Sequence, residues 1–231
     1  MINRNYGKFL REAFSSVLNQ TLLPKEIIII DDCTDDDSIN RYNELYLNIL
    51  TQHLNISLVI CYNAIQKGVL NSRNIAVKHS SEDYLCFLDA DDYLDSNYLE
   101  ETSKLLDSNQ DIGIIYTDFI LFDELAGTRY AVIPTEELGG EIKKGFYKRV
   151  FPEFNENSKN LLQERNFIHG GSLFRRKCFD QVNGYTKSNI PEDYNLYKKI
   201  IESGWNAKKC NTTNLYYRQH STTQFNIIGE K

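Results

Sequence analysis

At 231 residues, with 41% hydrophobic and 25% charged residues, the chain can bury one substantial core and has an ordinary globular composition. A net charge of −6 argues against non-specific nucleic-acid binding, so no nucleic-acid partner is expected. Five scattered cysteines with no C-x-x-C pair exclude a zinc frame or a disulfide scaffold, and no stretch reaches the ~18 apolar residues of a membrane span. With no signal peptide visible, a cytoplasmic protein with reduced thiols is expected, and peripheral attachment to the inner face of the membrane stays open.

The chain is expected to begin directly on a helix, since Phe9, Leu10, Ala13, Phe14, Val17 and Leu18 recur at helical spacing. Pro24 stops it, and the β-branched run Glu26–Ile30 predicts a buried strand ending in Asp31-Asp32. Ile39, Tyr42, Leu45, Tyr46 and Ile49 mark a second helix, and residues 56–62 a further strand. Gly68 opens a turn before a helix carrying Arg73 and Asn74. The apolar run Tyr84–Leu88 predicts a strand of a parallel sheet, covered on both faces. A helix capped by Ser96 follows, then a strand over 112–116 with Asp118 just beyond it. This alternation predicts a doubly wound α/β sheet. From 123 to 165 the rhythm breaks into weak strand signals at Tyr130–Ile133 and a polar stretch, suiting a functional loop region. Order resumes at Phe167–Phe174, in a helix over 177–182, in a helix opened by Glu192-Asp193, and in a final segment Leu215–His220.

The chemistry concentrates where strands end. Asp89, Asp91 and Asp92 stand together after an apolar strand, and clustered carboxylates repel one another unless a cation or hydrogen-bond donors hold them. Hard oxygen ligands suit Mg2+ or Mn2+ shared with substrate phosphates. Asp31-Asp32 fits either a strand-to-loop turn or an acceptor for a ring N–H, while Asp35, Asp36 and Asp37 read as solvated loop and helix caps. Arg73 fits a surface cation or a fork that braces carboxylates. His169-Gly170-Gly171-Ser172 fits a tight turn or an acceptor-side loop.

Six features in order, across residues 3–222, resemble family 2 glycosyltransferases of the GT-A fold: Ser16–Thr21, Glu26–Asp32, Gly68 with Arg73-Asn74, Phe87–Asp92, Pro191–Leu196 and Tyr217–His220. The resemblance implies an inverting, nucleotide-sugar-dependent transferase with a doubly wound, mostly parallel sheet. Residues 1–122 would form the nucleotide-sugar-binding half and 123–231 the acceptor-side half of one domain. It implies that Asp32 reads the base, that Asp89 and Asp91 hold Mg2+ or Mn2+ with Asp91 the main ligand, and that Asp89 also lies near the ribose. Arg73 would brace the carboxylates, and His220 would approach the diphosphate or the metal. Asp193 would be the general base, and Glu192 would orient acceptor or loop. The implied partners are a nucleotide-diphosphate sugar, UDP-linked by family preference, and a sugar or glycolipid acceptor, in surface polysaccharide or glycoconjugate synthesis. The departure is at the front: the usual first strand, of the type V-S-V-I-I-P-x-Y-N, is represented only by Asn3, so a gap in the sheet is expected. The alternatives are a Mg2+-dependent phosphatase with Asp89 as nucleophile, or an inactive remnant acting as a nucleotide-binding module.

Overall fold

The computed structural model describes residues 1–52, 54–128, 133–134 and 145–221. Strand β1 (Ile2–Asn3) precedes helix α1 (Gly7–Leu18), so the chain does not begin directly on a helix. β2 (Glu26–Asp31), α2 (Ser38–Thr51), β3 (Ser57–Tyr62) and α3 (Val69–His79) follow as expected. β1, β2 and β3 form a three-stranded parallel sheet in that order. Ile27 and Ile29 of β2 pack against Leu10 and Phe14 of α1 and Tyr42, Leu45 and Ile49 of α2, which is why both helices carry an apolar stripe. The gap expected beside β2 is filled by residues 1–3: the Ile30 N–H donates to the Met1 carbonyl, and the Asp32 N–H to that of Asn3.

The second sheet is mixed. β4 (Tyr84–Cys86), β9 (Leu173–Arg175), β6 (Ile112–Phe122), β10 (Asn206–Arg218) and β5 (Tyr93–Leu94) lie side by side in that order. The run expected as one parallel strand over Tyr84–Leu88 stops at Cys86, and its ladder partner β9 is antiparallel. Phe87 and Leu88 leave the ladder to carry Asp89 across to β1, where a single parallel bridge joins Ile2 to Asp89 and so joins the two sheets.

Two strands are longer than the sequence pattern indicates. Apolar residues continue through Phe119–Phe122, which extends β6 and puts Asp118 inside it. β10 starts at Asn206, not near Leu215, because its polar residues are paired in parallel with β6 through an irregularity between Cys210 and Asn214. The N-cap of helix α4 (Tyr98–Ser108) is Asn97, with no side-chain cap, so Ser96 does not cap it. Part of the region expected to be irregular is ordered: β7 (Ile133–Pro134) pairs with β8 (Tyr147–Arg149), β8 pairs with β6, and α5 (Glu156–Leu161) opens with an Asn155–Ser158 capping box. Residues 130–132 of the expected strand lie outside the described residues. Helices α6 (Arg176–Gln181) and α7 (Glu192–Glu202) match their patterns. The larger core draws Ile30, Ala76 and Phe87 together with Phe167, Phe174, Tyr197 and Ile200, so residues before and after 122 share it.

Candidate active site

The carboxyl ends of β1, β2 and the Phe87–Asp92 segment open onto one cleft of roughly 1620 Å³. Asp32, Arg73, Asp89, Asp91, Glu192 and Asp193 all line it. These six positions, spread from Asp32 to Asp193, are thus brought to one cleft by the bridge between the sheets and by the start of α7.

The two aspartates at the end of β2 have separate work. Asp31 is structural: its Oδ2 accepts the Tyr42 hydroxyl at 2.6 Å and its Oδ1 the Thr34 N–H at 2.9 Å. Asn3, fully buried, donates to Ser38 and Tyr42 and so ties β1 into the same network. Asp32 faces the cleft. Its Oδ1 accepts from the Asn63 side chain (2.7 Å) and the Lys67 N–H (2.8 Å), and its Oδ2 from the Gly68 N–H (2.8 Å). Burial works to raise its pKa, but these donors outweigh burial and hold it below the ordinary value. Gly68 reaches this position with φ +82°, which a side chain would resist. The Ser72 side chain adds to the same set of donors, and Asp32 keeps its place on the cleft wall. Asp36, expected as solvated loop or helix cap, accepts the first N–H of α1 at Gly7 (2.8 Å).

Arg73 is 3% exposed and spans the cleft wall. Its Nη2 donates to Asp89 at 3.1 Å and its Nη1 to Glu192 at 2.9 Å, so the fork is shared between the end of β4's segment and the start of α7, not closed on the Asp89–Asp91 pair. Burial opposes its charge, yet Asp89, Tyr185, Glu192 and Asp193 hold its pKa well above the ordinary value. Phe87 and Tyr185 flank the guanidinium at 5.4 and 5.6 Å. The Asp89 side chain is 45% exposed and that of Asp91 8%. Asp91 Oδ2 lies 3.1 Å from His220 Nε2, and the His220 ring packs on Phe9 and Tyr6. Asp92 turns inward to accept the Arg218 N–H, and burial followed by the charges of Asp91 and Asp89 pushes its carboxyl well up.

Among the described residues, no three His, Cys, Asp or Glu side chains converge on a ready-made metal cage. Asp89 and Asp91 line the cleft, and the buried His220 stands directly behind Asp91 as a further donor. That donor set fits a Mg2+ or Mn2+ ion that keeps waters and takes its remaining ligands from a diphosphate.

Beside Glu192, Asp193 is half-buried in the first turn of α7. Burial, then the neighbouring charge of Glu192, raises its pKa to about 6, against the pull of Arg73 and the Tyr194 N–H. A Cβ on Gly170 would lie 3.2 Å from Arg73 Nη2 and 3.5 Å from Asp193 Oδ2, so the His169–Ser172 turn seals the wall between them. The Thr117 N–H donates to His169 Nε2, which puts the ring proton on Nδ1, and burial lowers the His169 pKa to about 3.

Arg218 belongs to the Tyr217–His220 signature, but the sequence pattern assigned it no role. Its Nε donates to the Asp91 carbonyl (2.8 Å), its Nη1 to Asp123 (2.7 Å), and its Nη2 pairs with Glu12 of α1. The signal was present, since Arg218 and His220 alternate at the end of a strand and both return to the Asp91 segment. Asn63 carried no such signal.

With this geometry in hand, comparison with known proteins places the chain. The sequence model of Glycosyl transferase family 2 matches residues 1–182. A putative glycosyltransferase, EpsE of Bacillus subtilis (strain 168), is 22% identical over 204 residues, which cover 87% of this chain and 65% of EpsE. The chain thus spans somewhat under two thirds of that relative's length. Among solved structures, S. aureus TarS 1-349 in complex with UDP-GlcNAc superposes with a TM-score of 0.69 at 16% identity, over 96% of this chain and 58% of that one. The mannosyltransferase PcManGT from Pyrobaculum calidifontis, in complex with GDP-Man and Mn2+, superposes with a TM-score of 0.65 at 15% identity, over 94% and 55%. The fold is therefore that of the GT-A glycosyltransferases. No helix among the described residues is long and apolar enough to cross a membrane.

Proposed function

The chain belongs to glycosyl transferase family 2, and from that premise we propose that it transfers a sugar from a nucleoside-diphosphate sugar, UDP-linked, to an acceptor hydroxyl with inversion. The acceptor is a saccharide or glycolipid in polysaccharide or glycoconjugate synthesis. The observation that carries this reading is that one cleft holds Asp32, the Asp89–Asp91 segment with His220 beside it, and Asp193. Asp32, on the cleft wall, accepts the N–H of a uracil ring. Asp91 and His220, with Asp89 beside them, hold Mg2+ or Mn2+, which when bound stabilises the negative charge developing on the leaving nucleoside diphosphate. Arg73 fixes Asp89 and Glu192 relative to each other and so sets the distance between the donor and acceptor sides.

Asp193 takes the proton of the acceptor hydroxyl as that oxygen attacks the anomeric carbon from the face opposite the leaving group. A carboxylate with its pKa near 6 is a stronger base than an ordinary one and is still ionised at neutral pH. One base suffices, since the leaving group needs no proton once its charge is neutralised. The phosphatase alternative would make Asp89 a nucleophile, a role ill-suited to a carboxylate tied to Arg73, and family membership sets it aside.

The test is transfer from UDP-sugars to a panel of saccharide acceptors by wild type and Asp193→Asn. Transfer with inverted anomeric configuration, lost by about 100-fold or more in the variant, supports the reading. Retained configuration, or full activity of the variant, refutes it.

A further inference from the structure

Arg4 follows directly on β1 and has no part in the roles above. Its Nη1 is fully buried and has no hydrogen-bond acceptor among the described residues. Arg4 lines the same cleft as Asp89, Asp91 and Asp92. Its placement follows from the bridge between the sheets: Ile2 and Asp89 are paired in parallel, and the segments that follow them bring Arg4 and Asp91 to the same cleft. Arg73, also on this wall, is already engaged by Asp89 and Glu192.

A guanidinium nitrogen removed from water with no acceptor is costly, and the cost is relieved when an anion supplies the missing oxygen. A second cation would be repelled. A neutral sugar hydroxyl would satisfy one bond but leave the charge unmatched. A diphosphate provides both charge and closely spaced oxygens, for which the planar fork of arginine is suited.

We propose that Arg4 binds the diphosphate of the nucleotide donor, as a protein cation acting from the β1 side of the Asp91 segment. This rests on the nucleotide-sugar reading above and adds to it a residue that the chain uses to grip the leaving group. Arg4 then serves both binding and departure, because the charge on the diphosphate grows as the sugar leaves.

The experiment compares UDP, UMP and uridine binding by calorimetry, with Mn2+ present, for wild type, Arg4→Gln and Arg4→Lys. Arg4→Gln is expected to weaken UDP by about 10- to 100-fold, the loss of one charge-assisted bond. Uridine binding should be unchanged, and Arg4→Lys should fall between. Without ligand, the melting temperature of Arg4→Gln should equal or exceed that of wild type, since a buried guanidinium nitrogen with no acceptor has been removed. UDP affinity unchanged in Arg4→Gln overturns the assignment while leaving the nucleotide-sugar reading intact. A melting temperature lowered together with uridine and UDP affinities by equal factors also overturns it, as a structural role would do this. Wild type that binds none of UDP, GDP or dTDP refutes the nucleotide-sugar reading itself, and the Arg4 assignment with it.

Discussion

Asp193→Asn should cost the protein its chemistry and raise its stability. In the folded chain the Asp193 carboxyl titrates at about 6 against an ordinary 3.8, chiefly because burial and Glu192 disfavour its charge. A carboxyl whose folded pKa lies above its unfolded one makes the fold less stable once ionised. The penalty is absent below about pH 4, grows between the two values, and is fully present above about pH 6. The difference corresponds to about 3 kcal/mol, and the partial exposure of the side chain reduces this to roughly 1.5 kcal/mol. Asn is nearly isosteric and still accepts the Tyr194 N–H, which Asp193 Oδ1 accepts at 2.7 Å. For a chain of this size the gain is worth roughly 3–6 °C in melting temperature. The assay is thermal unfolding of both proteins at pH 8 and pH 4. The variant should melt higher at pH 8 and equally at pH 4, and wild-type transfer should rise as pH increases through about 6. An Asp193→Asn protein that melts lower at pH 8, or shows the same difference at both pH values, would refute the argument.

Other substitutions probe the frame around the cleft. Arg73→Met leaves Asp89 and Glu192 facing each other without their shared cation, and should cost about 3–5 kcal/mol by chemical denaturation. Arg73→Lys should recover part of that stability but little transfer, because one ammonium cannot span both carboxylates. A Cβ on Gly171 would lie 2.2 Å from Leu215 Cδ1 and 3.3 Å from the Phe87 carbonyl, so Gly171→Ala should destabilise by about 1–3 kcal/mol. Adding Leu215→Ala should return less than its own cost, a non-additivity visible in a double-mutant cycle. Lys209 and Asp118 form a pair at 2.7 Å with side chains each 5% exposed, and because Lys148 at 3.2 Å stays on Asp118, Lys209→Met should cost about 1–3 kcal/mol without altering nucleotide affinity.

The parts of the fold legible in the sequence are those where burial imposes a period. α1 and α2 announce themselves because each must bury one stripe against β2, and the isoleucines of β2 because they are covered on both sides. β10 was hidden because its first half is polar: Lys208 and Lys209 are strand residues held by pairing with β6, and that long-range contact leaves no local period. The same holds for β4, whose apolar run reads as a longer strand although Phe87 and Leu88 leave the ladder to deliver Asp89. At the site, residue types and strand ends pointed to the carboxylates, but spacing could not divide Asp31 from Asp32. That division depends on Tyr42 and Asn63, which approach from other elements. Likewise the pattern anticipated that Arg73 would brace carboxylates but not that Glu192, more than a hundred residues on, would be one of them.

The claim at the centre of this account is that Asp91 holds a divalent metal against the diphosphate of a nucleotide. Titration of UDP into wild type and Asp91→Ala, each with Mn2+ and with chelator, tests it most directly. The account predicts that wild type binds UDP at least about tenfold more tightly with Mn2+ than without, and that Asp91→Ala binds weakly and indifferently to the metal. Equal, metal-independent binding of UDP by both proteins would contradict it.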